Sequence, residues 1–381
     1  MYPSSRITAM VTLMTFFLAI GNESARVQGQ AATPARSQEP PILLAYLPGW
    51  RELNLDAVPW DHLTHLCHAF VRGTPEGELV TSANLPSREL TDRAHRAGVQ
   101  VLLSIGGARS DGYLNQIAAD PDRLARFVSQ VVKIVEDNGY DGVDLDWEHP
   151  DSESSAQGMI DMVRALRGAL DECQARTGKR YLFTAAVTGE WAYRHIPTEV
   201  FRDHFDFLNV MTYDLAGSWS RYAGHHAPLG LSSQAKEVGA KSIETSINHW
   251  LVDRGLPPSQ LVLGLPAYGR GFRGIPHPYA PITKDPDMHT EYGYSELAQK
   301  ITQGWTVQRL DNGEPWLVSP DRSEFIGFDD PDSIRQKTIW ALGKGLRGVF
   351  FWQVLADRLP DGSHPLIESA HQALNAQPQA Q

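Results

Sequence analysis

Three acidic residues alternate with large apolar residues in one short segment, and their spacing suits proton transfer. Segment 140–148 reads YDGVDLDWE, which places Asp144, Asp146 and Glu148 two residues apart. Successive side chains of a strand point to opposite faces, so the three carboxyl groups are predicted on one face, roughly 6.5–7 Å apart along the backbone. Carboxyl groups this close repel each other, which keeps at least one protonated near neutral pH. The pattern therefore favours an acid catalyst over a solvated strand face.

Eight short apolar runs alternate with helical stretches such as 121–137 and 156–176. This alternation predicts an α/β protein with a (β/α)8 barrel. The near-continuous hydrophobicity of run 99–105 fits a parallel strand covered on both faces. The predicted strands are 42–49, 63–70, 99–106, 141–148, 181–188, 206–213, 261–268 and 347–354.

One interval interrupts this alternation after the seventh predicted strand. Residues 274–325 carry prolines, tyrosines and the strand-like pieces 304–309 and 315–319 around a helix near 294–302. The next barrel-like helix begins only at 332–342. The interval predicts a small α+β insertion at the C-terminal face of the barrel, where active sites form. We expect it to form one wall of a cleft.

Polar and aromatic side chains recur where the predicted strands end. In a (β/α)8 barrel these ends meet at one mouth, so their side chains are expected to converge there with Glu148. The strand ends read AYLPGW at 45–50, LSIGG at 103–107, MTYD at 211–214, PAYGR at 266–270 and FFWQ at 350–353.

These segments resemble glycoside hydrolase family 18, the chitinases and their relatives. Segment 141–148 matches the family signature DxxDxDxE, and the pieces at 104–107, 211–214 and 268–270, with the late Trp352, match further motifs in the same order. The likeness covers roughly residues 42–370. It implies one catalytic barrel over 41–372, in which the interval 274–325 is similar to the family's chitinase insertion domain.

The resemblance implies a mechanism and four catalytic residues. Glu148 would be the general acid that protonates the glycosidic oxygen. No second carboxylate is evidently placed as a nucleophile; in this family the 2-acetamido oxygen of the sugar attacks its own anomeric carbon, which gives an oxazolinium ion. Asp146 would orient the acetamido N–H and stabilise the ion, Asp144 would share a proton with Asp146, and Tyr213 would donate its hydroxyl to the acetamido carbonyl.

A second group of matching residues is expected to bind substrate or support the acids. Asp214 would bind the distorted sugar, and Trp352 would form an apolar floor beneath it, unless Trp352 is simply barrel core. Asp141 has the opposite parity to the acid row and is expected to give structural support. Ser104 is expected to hydrogen-bond within the acid network, because no histidine partner marks it as a nucleophile. The other expected substrate contacts are Tyr46, Arg270, Gly107 and Tyr268, with ordinary packing an equal alternative for Tyr268.

The chain departs from the family pattern in two places. Ala108, followed by Arg109, stands where many members carry an aromatic residue, which puts a stacking platform on the leaving-group side in doubt. His149 stands where a tyrosine is common. No appended carbohydrate-binding module is visible. Soluble fragments of chitin are therefore the expected substrates, in preference to packed crystals.

The composition of the chain excludes several kinds of ligand and binding partner. The net charge is −11 and basic patches are missing from the sequence, which argues against nucleic acid. No cofactor or metal is expected: His62, His65 and His68 lie in a strand-like run where their side chains cannot converge on one ion. Cys67 and Cys173 are predicted to be free, buried thiols in a domain large enough to fold without a disulfide.

The sequence pattern of the N-terminal segment predicts that the protein is exported from the cytoplasm. Arg6 precedes an apolar run at 7–20, and small residues follow, so residues 1–31 are predicted to be a signal peptide, with an uncleaved anchor as the alternative. Residues 32–40 read as a flexible lead-in and 373–381 as a disordered tail. We expect a secreted monomer, extracellular or periplasmic, with no membrane contact after cleavage.

Three functions remain open from the sequence. The favoured one is a secreted chitinase that cleaves chitin or N-acetylglucosamine oligosaccharides with retention of configuration. An endo-β-N-acetylglucosaminidase acting on N-glycans or peptidoglycan is the second. A non-catalytic chitin-binding lectin on the same barrel is the third; such relatives have usually lost the terminal acid, which is present here as Glu148.

Overall fold

The computed structural model describes residues 40–189 and 191–376. The predicted signal peptide (1–31) lies outside the described residues, as do 32–39 of the lead-in and 377–381 of the tail. The tail was predicted to begin at residue 373, but residues 373–375 are helical and belong to the last helix, Pro365–Asn375. Its apolar side chains, among them Leu366 and Leu374, are buried, which explains why the helix continues.

Eight parallel strands close into a barrel, so the predicted (β/α)8 fold is confirmed. Each strand pairs in parallel with the next, and the eighth pairs with the first. A two-residue strand, Leu79–Val80, adds to the second in antiparallel fashion. The barrel strands are β1 (Ile42–Pro48), β2 (His65–Gly73), β3 (Gln100–Gly107), β4 (Gly142–Trp147), β5 (Leu182–Val187), β6 (Phe207–Val210), β7 (Leu261–Pro266) and β8 (Gly348–Trp352).

Helices cover the outside of the barrel. Local sequence sets their ends, as in the long helix after β3: Asp120 accepts from two backbone N–H groups at its start, Pro121 follows, and Gly139 ends it with φ +73°. The α-helices are Arg88–Arg96, Asp111–Ala118, Pro121–Asn138, Glu153–Thr177, Thr198–His204, Ser233–Glu237, Ile243–Asn248, Tyr294–Thr302, Pro331–Gly343 and Pro365–Asn375. Shorter helical turns are Leu55–Ala57, His249–Asp253, Pro258–Gln260, Pro286–Met288 and Val354–Ala356.

Alternation along β4 separates its apolar residues from its acids. Val143, Leu145 and Trp147 are fully buried in the core cluster shared with the surrounding helices. Asp144 and Asp146 have the other parity and face the barrel interior, where a second apolar cluster is centred on residues of β1, β2 and β8. The packing of the three apolar side chains thus fixes the direction in which the acids point.

The insertion forms a five-stranded antiparallel sheet and is larger than the predicted 274–325. Its first strand begins at Tyr268, one residue after β7, and its last ends at Gly327. The predicted seventh strand, 261–268, therefore ran into the insertion, because the apolar run continues without a break while the pairing partner changes. In sheet order the strands are His289–Gly293, Tyr268–Arg273, Glu324–Gly327, Pro315–Val318 and Thr306–Arg309. The helix Tyr294–Thr302 directly follows the edge strand His289–Gly293 in the chain.

A buried ion pair lies where the insertion returns to the barrel. Lys337, on the helix Pro331–Gly343, contacts both carboxylate oxygens of Asp329 at 2.5 Å and also donates to the carbonyl oxygen of Ala227. Ser333 donates to the same carboxylate at 2.6 Å. Burial alone would raise the pKa of Asp329, but the charge of Lys337 holds it below its usual value. The pair therefore joins the end of the insertion to the barrel.

Both cysteines are free and buried: Cys67 lies on β2 and Cys173 in the helix Glu153–Thr177. Across residues 40–189 and 191–376, no helix combines the length and apolar character that a membrane crossing requires.

Replacing Lys337 with methionine should destabilise the protein by about 3–5 kcal/mol, because Asp329 would remain buried without its counter-charge. Urea unfolding monitored by circular dichroism measures the change. Lys133→Met is the matched control: its pair with Asp137 is exposed to solvent, so its loss should leave stability nearly unchanged. Equal effects of the two substitutions would contradict a structural role for the buried pair.

Candidate active site

Asp144 lies deepest in the barrel and is surrounded by hydrogen-bond donors. Its Oδ2 accepts from Tyr46 at 2.9 Å and from Ser104 at 2.8 Å. Its Oδ1 accepts from Thr184 at 2.6 Å and from the amide of Asn209 at 3.2 Å. Burial raises the pKa of Asp144, and these four donors oppose the rise because they favour the charged form. Four strands thus contribute to holding one carboxyl group.

Asp146 lies above Asp144 and is in a different environment. It is buried, and its Oδ1 has no hydrogen-bond partner within the part of the chain that the structure describes. Burial raises the pKa of Asp146 well above its usual value, and the nearby charges of Glu148 and Asp144 raise it further. The proton that we expected Asp144 and Asp146 to share remains a prediction; the hydrogen bonds to Asp144 come from neutral groups.

Glu148 follows β4 directly and is the carboxyl group of the row that reaches solvent, with 23% of its side chain exposed. Ser110, buried in the turn after β3, fixes the backbone here: its hydroxyl donates to the carbonyl of Asp146 at 3.1 Å and accepts from the N–H of Glu148 at 2.9 Å. Burial, aided by the charge of Asp214, raises the pKa of Glu148 to about 7. A carboxylic acid that is protonated up to neutral pH is suited to general acid catalysis.

Asp214 is held as an ionised carboxylate opposite Glu148. Its Oδ1 accepts from the Tyr268 hydroxyl at 2.6 Å and from Arg270 Nε at 2.7 Å, and His226 Nδ1 lies 3.5 Å away. Burial alone would raise the pKa of Asp214, but His226 and Arg270 hold it well below its usual range. Because Tyr268 and Arg270 begin the first strand of the insertion, the insertion and the barrel together position this carboxylate.

Aromatic rings form the floor of the site. Trp352, at the end of β8, stacks on Phe70 with centroids 5.6 Å apart and lies 5.6 Å from Tyr46. Tyr213, after β6, packs edge-on against Tyr268. Burial and the nearby charges of Asp146 and Asp214 raise the pKa of Tyr213 well above its usual value, so its hydroxyl stays protonated. It is therefore available as a hydrogen-bond donor.

A cleft of about 750 Å³ runs over these groups. The side chains that line it include most of the predicted site: Tyr46, Asp146, Glu148, Tyr213, Asp214, Tyr268, Arg270 and Trp352. Tyr46 contributes its ring to the cleft, but its hydroxyl is donated to Asp144. Among the described residues, no group of three or more histidine, cysteine, aspartate or glutamate side chains could hold a metal ion.

Gly107 is not among the residues that line the cleft, and its expected contact with substrate remains a prediction. Its backbone has φ +87°, and a Cβ at this position would lie 2.6 Å from the ring of Phe70. The glycine therefore makes room for Phe70, which in turn supports Trp352. Its neighbour Gly106 allows the backbone of β4 to lie close to the end of β3, since a Cβ at position 106 would lie 2.0 Å from the carbonyl oxygen of Asp146.

Asp141 and Ser104 lie outside the cleft. Asp141 precedes β4, at the opposite end from Glu148, where it accepts from the backbone N–H of Val101 at 2.7 Å and pairs with Lys179 and His95. Ser104 lies on β3, beneath the mouth of the barrel, and its hydroxyl is donated to Asp144.

Sequence reasoning missed four residues of the site. Ser110 gave no signal beyond its position six residues after Ser104. Three tryptophans line the cleft and are about half exposed: Trp50 at 53%, Trp191 at 47% and Trp219 at 55%. Trp50 is the last residue of the strand-end segment 45–50, and Trp219 lies five residues after segment 211–214, so their proximity to strand ends was a usable signal. Trp191 lies in a stretch that matched no motif.

The chain matches the family model described as glycosyl hydrolases family 18 over residues 42–357. It is 32% identical to Chitinase 1 of Aphanocladium album over 290 residues, which cover 74% of this chain and 67% of that protein. Across the first curated relatives that it matches, the aligned part spans about two thirds of their length or less.

Two solved structures show the same fold. A class V chitinase from Nicotiana tobaccum, in complex with NAG4, superposes with a TM-score of 0.77 at 26% identity, covering 88% of this chain and 99% of the other. A chitinase-like agglutinin from Robinia pseudoacacia gives a TM-score of 0.76 at 27% identity, covering 87% and 99%. The family model spans most of the chain and coincides with the barrel and its acid row. This chain is a member of glycosyl hydrolases family 18.

Proposed function

We propose that the protein hydrolyses β-1,4-linked N-acetylglucosamine oligomers and polymers, with retention of configuration and with the substrate's own acetamido group as nucleophile. The observation that carries the proposal is the state of Glu148: it faces the cleft with a pKa of about 7, directly above an acid whose pKa is also raised. Family membership and the chitinases among its relatives support the choice of substrate.

Glu148 acts first, as the acid that protonates the oxygen of the bond to be broken. Its side chain is the exposed end of the row, so it can reach a sugar in the cleft, whereas Asp144 is fully buried. Burial keeps Glu148 protonated until the leaving oxygen takes the proton. After departure of the leaving sugar, the ionised Glu148 accepts a proton from the incoming water.

Neither neighbouring carboxyl group suits the role of nucleophile. Asp146 is only 3% exposed, behind Glu148, and its raised pKa keeps it protonated. Asp214 is ionised, but hydrogen bonds from Tyr268 and Arg270 occupy its Oδ1 and lower its nucleophilicity. The 2-acetamido oxygen, carried by the substrate itself, then attacks the anomeric carbon and forms the oxazolinium ion.

Two groups hold the acetamido group for this attack. Asp146 Oδ1 is buried and lacks a partner in the described residues, so it is an acceptor available to the acetamido N–H. As positive charge develops on the acetamido group, the proton of Asp146 passes to Asp144, and the ionised Asp146 stabilises the charge. The Tyr213 hydroxyl remains protonated and donates to the acetamido oxygen.

The remaining contacts place the sugar. Trp352 supplies a flat apolar surface supported by Phe70, and the ionised Asp214 accepts from sugar hydroxyl groups while Arg270 fixes its orientation. The N-terminal segment predicted as a signal peptide supports secretion, and we propose that the mature protein acts as a monomer outside the cytoplasm.

A lectin on the same fold is the second candidate, because a chitinase-like agglutinin superposes on this chain. A lectin has no need of an acid whose pKa is raised to about 7, so the state of Glu148 favours catalysis. Action on N-glycans or peptidoglycan shares the same acetamido chemistry and differs only in the sugar chain that the cleft admits.

Glu148→Gln should reduce turnover of chitohexaose by at least about 10³-fold and leave binding of the oligomer intact, because the amide cannot protonate the leaving oxygen. Chromatography of the products and calorimetric binding measure the two effects. Glu153→Gln, on the exposed first turn of the next helix, is the control and should be unchanged. Full turnover by Glu148→Gln would remove the acid assignment; binding without turnover in the wild-type protein would establish the lectin.

Asp146→Asn and Tyr213→Phe should each lower kcat by about 10²-fold or more with little change in KM, because both side chains act on the charge and position of the intermediate. Steady-state kinetics with chitohexaose separates the two constants. Tyr181→Phe removes a buried phenol outside the cleft and serves as the control. A change in KM alone would contradict substrate assistance.

In the pH profile of the enzyme, kcat/KM should fall above pH 7, which gives the profile its alkaline limb. Glu148 must be protonated to act, its pKa in the free protein is raised to about 7, and each further pH unit removes about nine tenths of the acid form. Asp214→Asn removes a negative charge that raises this pKa, so the limb should move to lower pH. A limb that stays in place or moves upward in that variant would contradict the electrostatic account.

A further inference from the structure

Two adjacent histidines lie between β6 and β7, and neither touches the substrate in the proposed reaction. His225 and His226 are only 2% and 0% exposed, and their rings stack with centroids 5.9 Å apart. Burial disfavours the charged form of a histidine, because the imidazolium loses its water. A buried imidazole therefore stays neutral unless a particular neighbour stabilises the charge, and the two rings have different neighbours.

His225 is satisfied as a neutral ring. Its Nε2 lies 2.8 Å from the carbonyl oxygen of Phe328, which can only accept, so this nitrogen carries the hydrogen. Its Nδ1 accepts from the backbone N–H of Ala227 at 3.1 Å and must therefore present a lone pair. Burial, with the charge of Lys337, lowers the pKa of His225 to about 3. His225 thus shows what a neutral histidine looks like in this part of the core.

His226 repeats one of these contacts and reverses the other. Its Nε2 lies 3.1 Å from the carbonyl oxygen of Tyr268 and so carries a hydrogen. Its Nδ1 has no hydrogen-bond partner among the described residues and lies 3.5 Å from Oδ1 of Asp214. A neutral ring would set the lone pair of Nδ1 against that ionised carboxylate. A proton on Nδ1 replaces this repulsion with an ion pair.

The charges around His226 balance only when it is protonated. Tyr268 stacks on it with centroids 4.8 Å apart and stays neutral, because burial and the charge of Asp214 raise the pKa of its phenol well above the usual value. Arg270 contacts both Asp214 and Glu291, so one cation is shared between two anions, and an imidazolium supplies the second cation. The charged and titratable groups that face His226 or its neighbour are Asp214, Tyr268, Arg270, His225, Lys337 and Asp329.

The contacts of Asp214 fall on one of its two oxygens. Oδ1 accepts from Tyr268 and from Arg270 and faces His226, which leaves Oδ2 for a sugar hydroxyl. His226 also holds the backbone here, because its carbonyl oxygen accepts from the N–H of Leu215 at 2.9 Å. Asp214 itself has φ +56°, a left-handed conformation that residues other than glycine rarely adopt. His226 therefore contacts both the carboxylate and the strained chain that carries it.

We propose that His226 is a buried imidazolium that acts as a positioning residue, holding Oδ1 of Asp214 so that Oδ2 faces the sugar. The proposal rests on the proposed function, in which Asp214 binds that sugar. His226 touches neither the substrate nor Glu148. Its charge should therefore affect turnover only by way of Asp214.

Nitrogen-15 NMR of the protein labelled at histidine tests the charge directly. At about pH 5.5, below the usual pKa of histidine, both ring nitrogens of His226 should be protonated, whereas His225 should keep an unprotonated Nδ1 and serve as the internal reference. His226→Asn assigns the signals by their loss. In Asp214→Asn the counter-charge is missing, and His226 should become neutral. A neutral His226 in the wild-type protein, or a charged one in Asp214→Asn, would overturn the proposal.

A double-mutant cycle on kcat/KM for chitohexaose tests the positioning role. His226→Asn should lower kcat/KM roughly tenfold in the wild-type background but less than about twofold in Asp214→Asn, because the histidine acts through that carboxylate. His277→Asn removes an exposed histidine of the insertion and should change neither value. Thermal melting verifies that each variant is folded.

Equal losses from His226→Asn in the two backgrounds would indicate a general structural effect and overturn the proposal, while cleavage of chitohexaose by the wild-type protein still upheld the function. Failure of the wild-type protein to cleave chitohexaose would overturn the function and, with it, the positioning role.

Discussion

The free-energy cost of placing three carboxyl groups on one buried strand face determines how the site is built. In the barrel interior a charged carboxylate loses its water, and neighbouring charges of the same sign raise the cost further. The protein meets this cost differently at each position. Asp144 receives four donors, whereas Asp146 receives none at Oδ1 from the described residues and has a strongly raised pKa. Glu148 is left at the mouth, protonated up to about neutral pH.

The barrel and the insertion contribute opposite electrostatic environments to one cleft. Burial in the barrel raises the pKa values of the acids in the row, an effect that the neutral donors around Asp144 oppose. The first strand of the insertion brings Arg270 and Tyr268 to Asp214, which stays ionised. An acid with a raised pKa and an ionised carboxylate thus line the same cleft, and in the proposed reaction this difference allows one to donate a proton while the other only orients. The buried pair of Lys337 and Asp329 ties the end of the insertion to the barrel.

Much of this arrangement was predictable from the sequence because strand parity is a strict rule. The period of two along β4 placed Asp144, Asp146 and Glu148 on one face and Asp141 away from it, and the eight apolar runs indicated the barrel. The boundaries of the insertion were not predictable, since the apolar run through Tyr268 continues while its strand partner changes. The packing role of Gly107 was not predictable, because a glycine gives no sign of which neighbour needs the space; here it is Phe70. Ser110 and Trp191 lie between the regular elements, where position depends on tertiary contacts, such as the hydrogen bond from Arg194 to the carbonyl oxygen of Trp191, rather than on periodicity.

The central claim is that the substrate's acetamido group, and not a water molecule, attacks the anomeric carbon. The most direct measurement is hydrolysis of chitohexaose by the mature protein, with the anomers of the products resolved by NMR or chromatography before they equilibrate. The account predicts that the newly formed reducing ends appear first as the β-anomer, in short oligomers. Initial release of the α-anomer would contradict it, because direct attack by water inverts the configuration.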